Sequence, residues 1–178
     1  MNDTVTTAEK YSSAISASNL KVEADKGGAA DVLIAVGWSP SRLGAALMRL
    51  HTEYDGAGLS RNPSRTDVHL LAGKLKSLGD VRREAAIQAT TWRMADPSHT
   101  AFAVILYWLD QRCRACEGRG AKVIPNTPAL QAKPCHVCHG SAKANAPHGE
   151  AGKRLANYLD ECVIRAQQSI KKRLCNMR

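Results

Sequence analysis

The pairs Cys113-Arg-Ala-Cys116 and Cys135-His-Val-Cys138 stand eighteen residues apart in this chain. This spacing is typical of a four-thiolate zinc site, because two intervening residues let both sulfurs of a pair reach one ion at about 2.3 Å. The alternatives are a disulfide pair or unrelated thiols. We predict one structural Zn²⁺, bound by Cys113, Cys116, Cys135 and Cys138.

The predicted zinc site is structural rather than catalytic. Four thiolates close the coordination shell, whereas catalytic zinc usually keeps one position open for water. His136 and His139 flank the second pair and could replace a thiolate. The sequence shows no glycine loop with a phosphate-binding lysine, no Gly-x-Ser-x-Gly elbow and no His-Glu-x-x-His motif. We therefore do not expect an enzyme.

Length and composition favour a small helical protein. The chain has 178 residues, of which 44% are hydrophobic but only 4% aromatic, so aliphatic side chains must form most of the core. No apolar run approaches the roughly 20 residues that span a membrane, and the chain does not begin with a basic region followed by an apolar core. Together with the zinc-spaced thiols, these features predict a cytoplasmic protein without a membrane partner.

Periodicity and turn residues divide the chain into four predicted parts. These are a flexible leader over 1–30, a helical body over 31–112, a zinc finger over 113–140, and a basic C-terminal helix within 141–178 that packs on the body. The predicted fold class is therefore mainly α. It is a helical bundle with an inserted zinc-binding finger, the finger being a short β-hairpin or irregular.

Two helices are predicted at the start of the body. The apolar run Val32–Val36 could be a strand or a buried helical turn, and the adjoining helix favours the second. Ser39 is the predicted N-cap of that adjoining helix, whose apolar face contains Leu43, Leu47, Leu50 and Tyr54. Trp38 is expected to cover the core where this helix begins, and stacking on a nucleobase is the alternative.

Three more helices are predicted before the cysteines, over 66–79, over 80–95 and over 99–112. Asp80 and Ser98 are the expected N-caps of the second and third. The third is apolar nearly all the way round, so we expect it to be buried.

A long amphipathic helix is predicted from about Glu150 to Leu174. Its apolar positions recur at helical spacing, at Leu155, Leu159, Cys162, Ala166, Ile170 and Leu174.

Positive charge is concentrated in the last third of the chain. Of the net charge of +9, residues 1–60 contribute −2, residues 61–112 contribute +3 and residues 113–178 contribute +8. This asymmetry favours a polyanionic partner, and we predict nucleic acid. The alternative is a solvated basic surface. Candidate phosphate contacts are Arg114, Arg119, Lys122, Lys133, Lys153, Arg154, Arg165, Lys171, Lys172 and Arg173.

The cysteine motif resembles the DnaJ-type zinc finger. Cys113-Arg-Ala-Cys116-Glu-Gly118-Arg-Gly120 fits its Cys-x-x-Cys-x-Gly-x-Gly unit, and the glycines permit positive φ angles in the turns around the ligands. The second unit, Cys135-His-Val-Cys138-His-Gly140-Ser-Ala142, keeps the first glycine and loses the last. This chain has two units instead of four and no His-Pro-Asp signature, so it is not a complete DnaJ co-chaperone.

A small, basic, helical protein with one such finger between helices also resembles the Q-type late-gene antitermination proteins of lambda-like phages. The resemblance covers 66–175 as an arrangement and 113–140 as a motif. It implies binding to a DNA site near a late promoter, engagement of paused bacterial RNA polymerase, and read-through of terminators. It carries over the four cysteines as zinc ligands but identifies no individual nucleic-acid contact.

Two other functions remain open from the sequence. The finger could grip a peptide, as DnaJ-type fingers do, without binding nucleic acid. It could also be purely structural, in which case removing the metal would leave partner binding through residues 1–112 intact.

Overall fold

A computed structural model describes residues 6–17, 28–56, 73–123 and 130–176. These residues form six helices and one two-stranded antiparallel sheet, which confirms the mainly α fold with an inserted finger. The helices are α1 (Thr7–Ile15), α2 (Ala29–Gly37), α3 (Arg42–Gly56), α4 (Leu78–Thr91), α5 (Pro97–Leu109) and α6 (Gly149–Asn176), and the strands are β1 (Ala121–Val123) and β2 (Leu130–Pro134). Among them, no helix combines the length and apolar content needed to cross a membrane.

The last helix, α6, contacts each of the other five helices. Its predicted apolar stripe is buried from Leu155 to Ile170, while Leu174 is half-buried. Leu155, Leu159 and Cys162 belong to a core shared with α3, α4 and α5. Ala166 and Ile170 join a second core shared with α1, α2 and Met48 of α3. One amphipathic helix thus supplies one wall of both cores.

Helices α3 and α6 pack so closely that their backbones nearly touch. A Cβ at Gly44 would collide with the carbonyl oxygen of Cys162, so only glycine fits at this crossing. The Ser41 hydroxyl donates a hydrogen bond of 3.0 Å to the same carbonyl. The predicted face of α3 is confirmed, because Leu47 and Leu50 are fully buried and Leu43 and Tyr54 pack against them.

The N-terminal segment differs from the predicted flexible leader. Residues 7–15 form α1, whose N-cap Thr6 makes a capping box with Glu9. Tyr11 and Ala14 are 2% and 3% exposed and pack in the second core. These contacts come from distant helices, so local composition could not indicate them. The rest of the predicted leader lies outside the described residues, apart from the start of α2.

Several helix ends also differ from prediction. Helix α3 begins at Arg42, so Ser39 is not its N-cap, and the buried Ser39 hydroxyl has no partner among the described residues. Helix α4 begins at Leu78, not at Asp80, because Ser77 before it is held by two hydrogen bonds to the Glu53 carboxylate. Helix α2 confirms the helical interpretation of Val32–Val36.

The N-cap of α5 is Asp96, whose carboxylate accepts from the His99 N–H, and not the predicted Ser98. Ser98 instead accepts a hydrogen bond from Arg82. Helix α5 ends at Leu109, and its outer positions are half-buried, so it is less enclosed than predicted. Most of the helix predicted over 66–79 lies outside the described residues, although Leu75 and Leu78 from its apolar face are buried.

Candidate metal centre

The four predicted cysteine ligands form one buried cluster. The Sγ atoms of Cys113 and Cys135 are 4.0 Å apart, and those of Cys116 and Cys138 are 3.7 Å apart. All four sulfurs lie within 4.8 Å of one another. A tetrahedral ion with bonds of about 2.3 Å holds its sulfurs about 3.8 Å apart, and none of these cysteines forms a disulfide. The cluster is therefore positioned to bind one metal ion.

Histidine takes no part in this cluster. The side chains of His136 and His139 are exposed, while each cysteine is at most 5% exposed. The four-sulfur ligand set thus matches the prediction.

The ligands sit on two turns of matching shape, which we call the first knuckle (113–120) and the second knuckle (135–142). In the first, the Arg119 N–H donates to the Cys116 carbonyl at 2.9 Å. In the second, the Ser141 N–H donates to the Cys138 carbonyl at 2.9 Å. The Gly120 N–H also donates to the Cys116 sulfur at 3.3 Å.

The knuckles exchange backbone hydrogen bonds in a reciprocal pattern. The Cys113 N–H donates to the Ala142 carbonyl at 2.8 Å, and the Cys135 N–H donates to the Gly120 carbonyl at 2.7 Å. The last residue of each knuckle therefore holds the first cysteine of the other. The two turns are related by an approximate two-fold axis through the sulfur cluster.

A strand pair extends this symmetry on either side. Ala121 of β1 pairs with Pro134 of β2, and Arg112 pairs with Lys143 in an isolated bridge. Beyond that bridge, the Ala144 N–H donates to the Gln111 carbonyl at 2.8 Å. We call residues 111–123 and 130–144 the clamp. It extends four residues past the predicted end of the finger, and it joins the chain leaving α5 to the chain approaching α6.

Positive φ angles recur at matching positions of the two knuckles. Gly118 and Gly120 have φ of +79° and +76°, and Gly140 has +89°. The position matching Gly120 is occupied by Ala142, whose φ is +62° although it carries a Cβ. A Cβ on Gly120 itself would lie 2.9 Å from the Gly140 carbonyl oxygen. The first knuckle therefore requires glycine where the second tolerates a strained alanine.

The thiols of Cys113 and Cys135 have pKa values shifted in opposite directions. Burial raises the pKa of the Cys113 thiol to about 11. Hydrogen bonds from the backbone N–H groups of Cys138 and Val137 lower the pKa of Cys135 to about 7. Because a metal binds the thiolate form, this shift prepares Cys135 for an ion better than Cys113 is prepared.

The predicted phosphate contacts do not form one patch. Arg114, Arg119, Lys122 and Lys133 are exposed on the clamp, next to the start of α6. Lys171, Lys172 and Arg173 are exposed near the other end of that helix. At a rise of 1.5 Å per residue, Lys171 lies about 33 Å along the axis from Gly149. We call these two sets the clamp cations and the tail cations.

The remaining three predicted contacts are engaged with neighbouring side chains. Lys153 pairs with Glu150 at 2.7 Å, and the Arg154 guanidinium lies 4.1 Å from the centre of the Trp92 ring. Arg165 donates to the Cys162 sulfur at 3.2 Å. Among the clamp cations, Arg119 pairs with Glu117 at 2.9 Å. These contacts make the four side chains less available to a ligand.

Two features of the site were missed by the sequence analysis. Lys143 is exposed on the clamp but was not predicted as a contact. The charge of +8 over residues 113–178 already includes Lys143, but this residue lies past the predicted end of the finger at residue 140. Trp38 does not cover the core as expected, because its side chain is 70% exposed. Periodicity alone could not reveal this, since Trp38 follows the last turn of α2.

Compared with protein families, curated proteins and solved structures, the chain matches none.

Proposed function

We propose that this protein is a zinc-stabilised, nucleic-acid-binding regulator of transcription. The observation that carries the proposal is the charge of the metal-supported segment. Residues 113–149 contain one carboxylate, Glu117, and five cations: Arg114, Arg119, Lys122, Lys133 and Lys143. All five cations are exposed. A fixed surface with this charge suits a phosphate backbone.

Zinc is the ion we propose for the cluster. Soft thiolate ligands in tetrahedral arrangement favour zinc among the common divalent ions. The four cysteines would hold it, and the bound ion would supply structural stability and not an open coordination position. Its role would be to fix the two knuckles, so that the cations between and beside the cysteines keep a defined spacing.

A duplex is the partner that we propose for the clamp cations. Arg114, Arg119, Lys122 and Lys133 are exposed on the clamp, and a bound metal would hold them at a fixed spacing. Such a surface suits the regular phosphate backbone of a duplex.

The step from nucleic-acid binding to antitermination rests on the resemblance to Q-type proteins. It names DNA near a late promoter and bacterial RNA polymerase as the partners. A terminator read-through assay with purified polymerase tests this step separately. Duplex binding without read-through would reject antitermination and leave nucleic-acid binding standing.

The salt dependence of duplex binding tests the proposal directly. For several phosphate contacts, log K should fall by about 0.9 per contact for each log unit of salt. The double variant R114A/K133A should reduce this slope by about 1.8. It should also weaken binding to duplexes of every base sequence by a similar factor. Lys76→Ala, which removes an exposed lysine outside the clamp and tail cations, is the control and should leave the slope unchanged. A wild-type affinity that is flat with salt would reject the proposal.

Peptide binding by the clamp is the second candidate function. The observation in its favour is Val137, which is 42% exposed at the turn of the second knuckle. If this function is correct, an unfolded peptide will displace a labelled ligand that duplex DNA does not displace. Val137→Ser would then weaken peptide binding, while the clamp-cation variants would have little effect.

A further inference from the structure

Trp38 is an exposed aromatic side chain in a cationic neighbourhood. It follows α2 at the C-cap position and is 70% exposed. Ile34, one turn earlier, is 48% exposed. An indole ring carries a large apolar surface and a polar N–H, and tryptophan is enriched at binding interfaces.

The charges around Trp38 indicate the kind of partner. The Arg173 guanidinium carbon lies 6.0 Å from the centre of the Trp38 ring. Lys171 and Lys172 precede Arg173 on α6, and no acidic residue follows Glu161 in the chain. Arg42, four residues after Trp38, is exposed at the start of α3. A polyanion is favoured here over an apolar or basic peptide.

The geometry narrows the partner to an unpaired strand. Aromatic rings bind nucleic acid by stacking on a base, and bases within a duplex are already stacked on their neighbours. The Arg173 guanidinium lies over the Trp38 ring, with its central carbon 6.0 Å from the ring centre. Guanidinium planes also stack on bases. A base that displaced this flexible side chain from the indole could therefore be covered by it on the other face.

We propose that Trp38 and the tail cations form a binding site for single-stranded nucleic acid. Trp38 stacks on one base, Arg173 covers the other face of that base, and Lys171 and Lys172 contact the flanking phosphates. This inference rests on the proposed nucleic-acid function and deepens it. The clamp cations would hold a duplex, while this site would hold the unpaired DNA or RNA strand that transcription produces.

The test compares single strands with a duplex on the same set of variants. Fluorescence anisotropy would measure the affinities of labelled oligothymidine, oligouridine and a blunt-ended DNA duplex for the metal-loaded full chain. Trp38→Ala should weaken single-strand binding by about 5- to 150-fold, the range found when one stacking residue is removed. Duplex affinity should change little, and Trp38→Phe should recover most of the single-strand affinity.

Ile87→Ala is the matched control, because Ile87 is a 56% exposed apolar residue on α4. It should bind every ligand as the wild type does. The double variant K171A/K172A should reduce the salt slope for single strands by about 1.4, since each phosphate contact on a single strand contributes about 0.7. A stronger effect with oligouridine than with oligothymidine would identify RNA as the ligand, and the reverse would identify DNA.

Three outcomes would overturn the inference. If wild type and Trp38→Ala bind single strands equally, the indole does not stack, and a protein partner becomes the better explanation of its exposure. If wild type binds the duplex but no single strand, this inference fails and the proposed function stands. If the wild type binds neither the duplex nor a single strand, both the inference and the proposed function fail.

Discussion

The helical body and the clamp are held together by different physical forces. In the body, apolar side chains from six helices are buried in two adjoining cores. In the described part of the clamp, the buried cluster consists of the four cysteines alone. The body can therefore draw on the hydrophobic effect, whereas the described part of the clamp buries little apart from its cysteines, and a bound metal would supply the stability that it lacks.

The two regions also differ in the kind of backbone that approaches closely. Close approach in the body occurs between two regular helices, where Gly44 meets the Cys162 carbonyl. Close approach in the clamp occurs between irregular turns with repeated positive φ angles. Such turns are unfavourable for most residues, so a ligand must supply the energy that keeps them together. The comparison predicts that the two regions can be destabilised separately.

Metal removal should have the largest effect and should act on the clamp. Structural zinc contributes on the order of 10–16 kcal/mol of apparent binding energy near neutral pH, comparable with the whole stability of a domain. A strong chelator, or Cys135→Ser, should abolish hydrogen-exchange protection at the Cys113 and Cys135 amides. The helical circular dichroism signal should change little, because α1 to α6 contain none of the ligands.

Loss of the helical signal together with the metal would contradict the separation of the two regions. Cys175→Ser is the matched control, because Cys175 is an exposed cysteine outside the cluster. It should retain the metal and the amide protection.

A cavity in the body should have the second largest effect and should spare the clamp. Leu159 is fully buried on α6, so Leu159→Ala should lower the free energy of unfolding by about 2–5 kcal/mol. Urea denaturation followed by circular dichroism would measure this change. The zinc affinity, measured by competition with a chelator, should stay within error of the wild type. A large loss of zinc affinity would show that the body supports the clamp.

An exchange of small residues between the knuckles should have the smallest effects, opposite in sign. Gly120→Ala places a Cβ at positive φ and 2.9 Å from the Gly140 carbonyl oxygen, so it should weaken zinc binding by about 1–3 kcal/mol. Ala142→Gly removes the strain at the matching position and should strengthen binding by about 0.5–1 kcal/mol, after the entropy cost of glycine. Competition with a chelator at a single pH would measure the zinc affinity of both variants. Equal losses in the two variants would contradict the strain assigned to Ala142.

The fold class and the metal site could be predicted because each depends on a regular pattern in the sequence. Leucine spacing fixed the buried faces of α3 and α6, and paired cysteines at zinc spacing identified the cluster. Both signals are local. A helix with one apolar face must bury it, and two thiolates separated by two residues can share an ion.

The features that were mispredicted depend on contacts between distant residues. Helix α1 has a polar sequence, and its order comes from Tyr11 and Ala14 packing against other helices. The start of α4 is set by hydrogen bonds from Ser77 to Glu53 on α3. No single segment contains this information.

The bridge between Arg112 and Lys143 also bears on how fast the protein folds. Helices α5 and α6 pack against each other although residues 110–148 separate them along the chain. Bringing the ends of such a segment together costs conformational entropy that grows with its length. A bound metal would bring Gln111 and Ala144 into hydrogen-bonding contact. Only a few residues would then remain to be ordered between this pair and each of the two helices. We therefore expect metal-loaded chains to refold faster than metal-free chains, even though most of the helical contacts lie outside the clamp.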